Sequence, residues 1–286
     1  MERINLDQIV SKVNTLPTIA LVYDRVCEMV ENPDVSAADL GKAIAEDQTL
    51  TARLLRIVNS AFYGFPEKIT TVTRAISILG FEPLKNLVLA TSVMKFFDSD
   101  GSNCLGARLA NLWSHSLACA VSARALAKRI EHLNPEEMFV AGLLHDIGKV
   151  VLLQTFPEET KCIFSLVKVK GIPFLEAEHE VIGVDHPQIG SILSKQWKLP
   201  PRLGESIALH HSPNMAQSDA QQTAAVHLAD ILARALQFGS GGDDSIPTLN
   251  RSAWDALHLP MTRLEPTMIE IEREYFRSLS LLRPSY

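Results

Sequence analysis

Within Ala141–Val150 (AGLLHDIGKV), His145 and Asp146 stand side by side with apolar residues on both flanks. Nothing else in the sequence restricts the fold as strongly. An aspartate embedded in an apolar helix must be paired, hydrogen-bonded or bound to a metal, because an unpaired buried carboxylate costs roughly several kcal/mol. The fold therefore has to bring partners to it. Lys149 follows His145 by four residues and Asp146 by three, so a helix sets all three on one face. A structural ion pair between Lys149 and Asp146 meets the requirement. A metal ion held with further ligands meets it too.

The same pattern recurs along the second half of the chain. Of nine histidines, six lie between residues 145 and 227. His115 interrupts a run of Ala and Leu in Leu112–Ser116 (LWSHS). His186 follows Asp185 and precedes Gly190, where a neighbouring helix has room to approach. His210 and His211 end an apolar helix, and Asp230 lies on the apolar face of VHLADIL. A lone histidine on such a face is usually a satisfied core residue. Several such positions on separate helices, together with two aspartates, point to a shared centre instead. Imidazole and carboxylate together suit divalent Fe, Mn, Zn or Ni. His227 lies three residues before Asp230, so it is either a support for that ligand or a plain polar contact. His211 has an equally plain alternative, since a helix C-terminus favours histidine through its dipole. His179 can share a face with His186, and His132 and His258 lie near loops, with no role assigned.

Nearly half the chain is apolar, 47%, and only 6% is aromatic, a composition that favours helices packed on helices. The expected fold class is all-α, a multi-helix bundle with an N-terminal helical lobe. Short helices fill residues 1–97; Ser36 caps one with Asp39 three residues on, Asp47 caps the next, and Gly80 closes the Thr71–Leu79 helix. The polar stretch 98–106 reads as a linker. Residues 107–238 form the second lobe, with helices expected over 107–130, 135–156, 158–170, 174–197, 201–210 and 223–238. In 239–286, the stretch GSGGDDSIPTLN (239–250) reads as a flexible surface loop, followed by a last helix from Arg263 to about Leu282.

A net charge of −6 argues against a general nucleic-acid binder. The front lobe does offer Phe62, Tyr63, Phe65 and Pro66, with Arg53, Arg56 and Lys68 nearby, as a surface for a partner. The four cysteines are far apart and the start carries no signal peptide, so a reducing cytoplasm is the expected setting. The longest apolar runs are interrupted by charges, which argues against a membrane span.

The order His115, His145-Asp146, Asp230 resembles the HD superfamily of metal-dependent phosphohydrolases. That resemblance implies a divalent metal held by His115, His145, Asp146 and Asp230. His186 and His210 are similar to the two histidines that bring in a second metal in the HD-GYP branch of cyclic di-GMP phosphodiesterases, with Asp146 bridging. The sequence departs from that branch after His210-His211, where it continues SPNMAQ and the GYP signature is missing. The chain more closely resembles the HDOD domain over roughly residues 10–235. The matching segments are Leu16-Pro17, DQTLTARLL (47–55), Asn59-Ser60, AISILG (75–80), LWSHS (112–116), GLLHDIGK (142–149), Asp185–Gly190, WKLP (197–200) and His210-His211. This resemblance implies a bacterial regulatory output module that acts on signalling partners. The retained ligand set keeps a second possibility open, a phosphohydrolase acting on a nucleotide or other phosphoester, with Lys149 and Asp146 as catalytic residues.

Overall fold

The computed structural model describes residues 6–13, 20–60, 63–97 and 104–279. Every regular element among them is helical, as the composition requires. Two units emerge from the packing. One begins with α1 (Leu6–Val13) and continues through Ser99–Ile271; the other is Thr18–Asp98 together with Glu272–Ser285. Helix α1 packs on a helix of the second lobe, so the front unit starts after it and not at residue 1.

The front unit contains α2 (Ala20–Glu31), α3 (Ala37–Ala45), α4 (Gln48–Val58), α5 (Val72–Leu79) and α6 (Phe81–Met94). Its centre is α6, whose Leu84, Leu87, Val88 and Val93 are fully buried under α2, α4 and α5. Ser36 and Asp39 form the expected reciprocal cap of α3, and Asp47 accepts from the Leu50 amide at 2.9 Å to start α4. Caps of this kind contribute about 1 kcal/mol each. Asn59 acts as a surrogate backbone: its amide donates to the Leu55 and Ile69 carbonyls, and its Oδ1 accepts from the Ile69 amide at 2.7 Å. One side chain thus closes the loop that holds Tyr63 and Phe65, whose rings stack at 5.8 Å. Phe62 and the 98–103 part of the expected linker lie outside the described residues. Gly80 has φ 90° and ψ 173°, and it serves both as the end of α5 and as the start of α6.

The other unit adds α7 (Cys104–Ala127), α8 (Pro135–Leu144), α9 (Ile147–Thr155), α10 (Pro157–Lys170), α11 (Phe174–Val181), α12 (His186–Gln196), α13 (Pro201–Leu209), α14 (Ala220–Ala235), α15 (Arg251–Leu257) and the first half of α16 (Leu264–Leu279). Helices α7, α8 and α14 form its core. Small residues let α7 and α8 come together: a Cβ on Gly142 would sit 2.6 Å from the Cys119 carbonyl oxygen. The stretch Pro135–Thr155 is long and apolar enough to cross a membrane by composition, but 89% of its most apolar window is buried inside the protein, as in a core helix.

Two helices expected to be continuous are broken. The 135–156 helix stops at His145-Asp146, and the 174–197 helix stops at residues 182–185. Gly183, at φ 81°, turns the chain there, and Asp185 restarts it by a reciprocal cap with Gln188. Apolar periodicity carries across both breaks, which is why it does not reveal them. The breaks place His145, Asp146 and His186 at helix ends, like His210 at the end of α13. Helix α15, capped by Asn250, was not expected from the sequence.

Glu205 of α13 fixes the lead-in to α14. Its carboxylate accepts from the amides of Gln217, Ser218 and Asp219 at 2.7–2.9 Å. Burial alone would raise its pKa, but these amides outweigh burial and lower it below the ordinary value of 4.5. A lowered carboxyl contributes stability that is present above its unfolded pKa and lost as pH falls through the folded one. Glu205→Gln is expected to cost about 1–2 kcal/mol at neutral pH. The difference from wild type should shrink in acid, and equal urea midpoints at pH 7 would contradict this role.

Candidate metal centre

Six helices deliver side chains to one buried point. His115 comes from the middle of α7, His145 from the end of α8, Asp146 from the start of α9, His186 from the first turn of α12, His210 from the end of α13 and Asp230 from α14. Each of these residues is at most 1% exposed. His115 Nε2 lies 3.3 Å from His145 Nε2, 3.4 Å from Asp146 Oδ2 and 3.1 Å from Asp230 Oδ1. His145 Nε2 is also 3.4 Å from Asp146 Oδ2. On the other side of the carboxylate, Asp146 Oδ1 is 3.1 Å from His186 Nε2 and 3.7 Å from His210 Nε2. Asp146 thus turns one oxygen to each pair of histidines.

The protons on three of these rings are accounted for. His145 Nδ1 donates to the Gly142 carbonyl at 2.7 Å, His210 Nδ1 to the Ile207 carbonyl at 2.9 Å, and His186 Nδ1 to the Glu178 carboxylate at 2.7 Å. A neutral ring that donates through Nδ1 presents a lone pair at Nε2. Those lone pairs converge on a carboxylate. Asp146 Oδ1 and His210 Nε2 are buried without any hydrogen-bond partner. Lys149 supplies one positive charge on Asp146 Oδ2; the remaining acceptors, facing one another in a buried space, are an arrangement that a bound cation would satisfy. Ligand atoms of Asp146, His186, His210 and His211 lie within 4.8 Å of one another, as do those of His115, His145 and Asp146. This donor set fits one or two divalent ions. Asp230 stands beside the second of these groups, with Arg234 Nε on its Oδ1 at 3.0 Å.

Residues not singled out by the sequence complete the surroundings. Glu178 is fully buried on α11 and accepts from both the ring and the main chain of His186. It shares the apolar face of Phe174 and Ala177, and an acid at such a position was a readable signal. Arg234 follows Asp230 by one turn, another readable signal. His211 joins the centre, with Nε2 at 3.2 Å from that of His186. His227 holds main chain instead: Nδ1 donates to the His210 carbonyl and Nε2 accepts from the Asn250 amide. His179 pairs with Asp185, while His132 and His258 occupy turns at φ 70° and 49°.

Charge is distributed unevenly. Burial alone would raise the Asp146 carboxyl, but His145, Lys149 and His115 hold it well below the carboxylate range. Asp230 is held low in the same way, chiefly by Arg234 and His115. Burial pushes His210 and His211 well below the imidazole range, and their histidine neighbours add to this. His115 and His186 are raised: burial opposes this, but Asp146 and Asp230 for the first, and Glu178 for the second, prevail. Lys149 Nζ bonds Asp146 Oδ2 at 2.8 Å, so the ion pair foreseen in the sequence forms. It forms beside the histidine cluster and does not replace it.

The segment 239–250 is a strap across this centre, in contrast to the free surface loop expected. The Ser240 amide donates to Asn111 on α7, and the Asp243 carboxylate accepts from Arg234, Ser245 and Phe174. A Cβ on Gly241 would fall 2.6 Å from Arg234 Nη2 and 3.4 Å from His115 Nε2. The reason is local: paired glycines allow close approach and Asp243 supplies the anchor. A pocket of about 250 Å³ remains, bordered by Lys149, Phe174, His186, His211, Arg234 and Asp243.

Comparison with known proteins agrees with the all-helical fold. The HDOD domain model matches residues 16–213. An uncharacterized protein of Treponema pallidum (strain Nichols) is 25% identical over 205 residues, covering 71% of this chain and 39% of that protein. The chain spans about two fifths of the length of the curated relatives it matches. The crystal structure of an HDOD domain protein of unknown function from Geobacter sulfurreducens superposes with TM-score 0.76 at 24% identity, covering 95% of this chain and 98% of the other. A protein from Shewanella amazonensis SB2B, provisionally assigned as a phosphohydrolase, superposes with TM-score 0.74 at 25% identity, over 96% of this chain and 98% of the other.

Proposed function

The chain belongs to the HDOD family, and from that premise we propose that it is a regulatory module for signalling partners, built around a retained divalent metal centre. The observation that carries this is the origin of the donors. Six helices supply six of them, all buried, and the strap lies across them. Metal affinity in such a site is folding free energy. Occupancy would therefore govern how firmly α7, α8, α9, α12, α13 and α14 hold together, and a partner can read that rigidity. His115, His145, Asp146 and Asp230 would hold one ion, and His186, His210 and His211 a second, with Asp146 shared.

A second reading, a metal-dependent phosphohydrolase, draws on one specific feature. Lys149 reaches from Asp146 to the 250 Å³ pocket. A bound divalent ion supplies a Lewis acid for a phosphoryl oxygen and an activated water. Lys149 would neutralise charge on that phosphoryl group, Glu178 would hold the His186 ring in place, and Phe174 would keep water from one wall.

Protein purified without chelator, analysed for metal and assayed on nucleotides and phosphodiesters, separates the two. The regulatory reading predicts one or two ions per chain, a melting point that drops by several degrees on chelation, and no turnover. Turnover that disappears in a His145→Ala, Asp146→Ala double variant would establish the enzyme instead.

A further inference from the structure

The Asp243 carboxylate is held by one guanidinium and two backbone amides. Its Oδ1 accepts from Arg234 Nη1 at 3.0 Å and from the Ser245 amide at 2.8 Å; its Oδ2 accepts from the Phe174 amide at 2.9 Å. The Arg234 and Asp243 side chains are 8% and 5% exposed. A guanidinium and converging backbone amides are the groups that hold phosphate oxygens. Here the occupant is the chain's own carboxylate, carried on the glycine-rich strap.

These groups border open space and are not sealed in the core. Arg234, Asp243 and Phe174 all line the 250 Å³ pocket, together with Lys149 and His211. Lys149 and Phe174 also line a smaller cavity of about 50 Å³, bordered by Arg108, Ser240, Gly241 and Gly242. Strap residues 240–242 line the smaller cavity, and Asp243 and residues 245–248 the larger, so the strap runs between them. With the strap lifted, Arg108, Lys149 and Arg234 would border one opening. Lys149 and Arg234 are paired with Asp146 and Asp230, and Glu176 also lines the larger cavity, so departure of Asp243 removes one carboxylate and leaves Arg234 short of a partner that an anionic ligand can replace.

We propose that Arg234 and the Phe174 amide form a latent phosphate subsite, and that a ligand's phosphate group binds there by displacing Asp243, which releases the strap. Arg234 keeps its bond to Asp230 in the process, so the guanidinium stays in place when Asp243 leaves. The subsite consists of Arg234, Phe174 and the strap; it adjoins the proposed metal centre through the Arg234–Asp230 bond, and its own contacts involve no metal. A plain structural clamp would hold Asp243 in place whether or not phosphate is present.

The test is calorimetric titration of inorganic phosphate into the full chain in the presence of chelator. A tethered carboxylate competes at millimolar or higher effective concentration, so Asp243→Ala should bind phosphate at least about tenfold more tightly than wild type. Asp243→Asn should gain less, and adding Arg234→Gln to Asp243→Ala should abolish the gain. In wild type, excess phosphate should speed hydrogen exchange across residues 239–248 while the Phe174 amide stays protected. Affinities of folded Asp243→Ala and Asp243→Asn within about twofold of wild type would overturn the proposal. So would wild-type strap exchange that ignores phosphate, a readout that needs no variant to fold. The metal analysis above is unaffected by either result, so the two ideas can fail separately.

Discussion

Asp146→Ala is expected to lose metal binding altogether and to lower stability by about 3–5 kcal/mol, the range for removing one partner of a buried ion pair. Both carboxylate oxygens are in use, Oδ2 toward His115, His145 and Lys149, Oδ1 toward His186 and His210. Removing it withdraws the group shared by both histidine pairs. It also leaves Lys149, 2% exposed, with no counter-charge at its Nζ. Asp146→Asn keeps the shape and part of the hydrogen bonding, so it should recover some stability without recovering metal. Metal content and urea denaturation of the two variants measure both effects. Wild-type metal content in Asp146→Ala would show that the carboxylate is not the bridge.

The second large effect is expected at Gly148. A Cβ there would collide with the His186 carbonyl oxygen and come 2.8 Å from its carbonyl carbon. The obstacle is backbone, so no rotamer change relieves it. Helices α9 and α12 must separate, and Asp146 and His186 move apart with them. Gly148→Ala is expected to cost about 3 kcal/mol, at the upper end of overpacking effects. Gly190→Ala meets mainly a methyl of Ile207, at 2.5 Å, which a side chain can partly yield, so a smaller loss is expected there. Equal stability of Gly148→Ala and wild type would mean that the two helices do not meet as closely as described.

The sequence made the fold class readable because Ala, Leu, Ile and Val at helical spacing leave few alternatives. Ser36 and Asp47 were readable because helix caps are local chemistry, whereas the hold of Asn59 on Ile69, ten residues away, was not. His145, Asp146, His186 and His210 stood out as polar residues in apolar settings, a contrast that needs no structure to notice. Their convergence was implied by family resemblance and could not follow from spacing, because it depends on how α7, α8, α9, α12, α13 and α14 cross. The breaks at residues 145–146 and 182–185 were hidden because apolar periodicity runs through both. The strap was misjudged for a related reason. GSGGDDSIPTLN has the composition of a free loop, and only tertiary contacts to Arg234 and Phe174 make it a cover. Gly148 gave no sign of its importance, since a glycine in a helix signals close approach only once the neighbour is known.

The central claim is that imidazoles and carboxylates from six helices form one divalent metal centre. Anomalous diffraction from crystals grown with Mn or Zn tests it most directly. The expected result is one or two peaks inside the buried cluster, each about 2.0–2.2 Å from the nearest imidazole nitrogens and carboxylate oxygens, with Asp146 bound in every case. A map without a peak there, from protein that also shows no calorimetric uptake of either metal, would leave the cluster a hydrogen-bonded core and contradict the account.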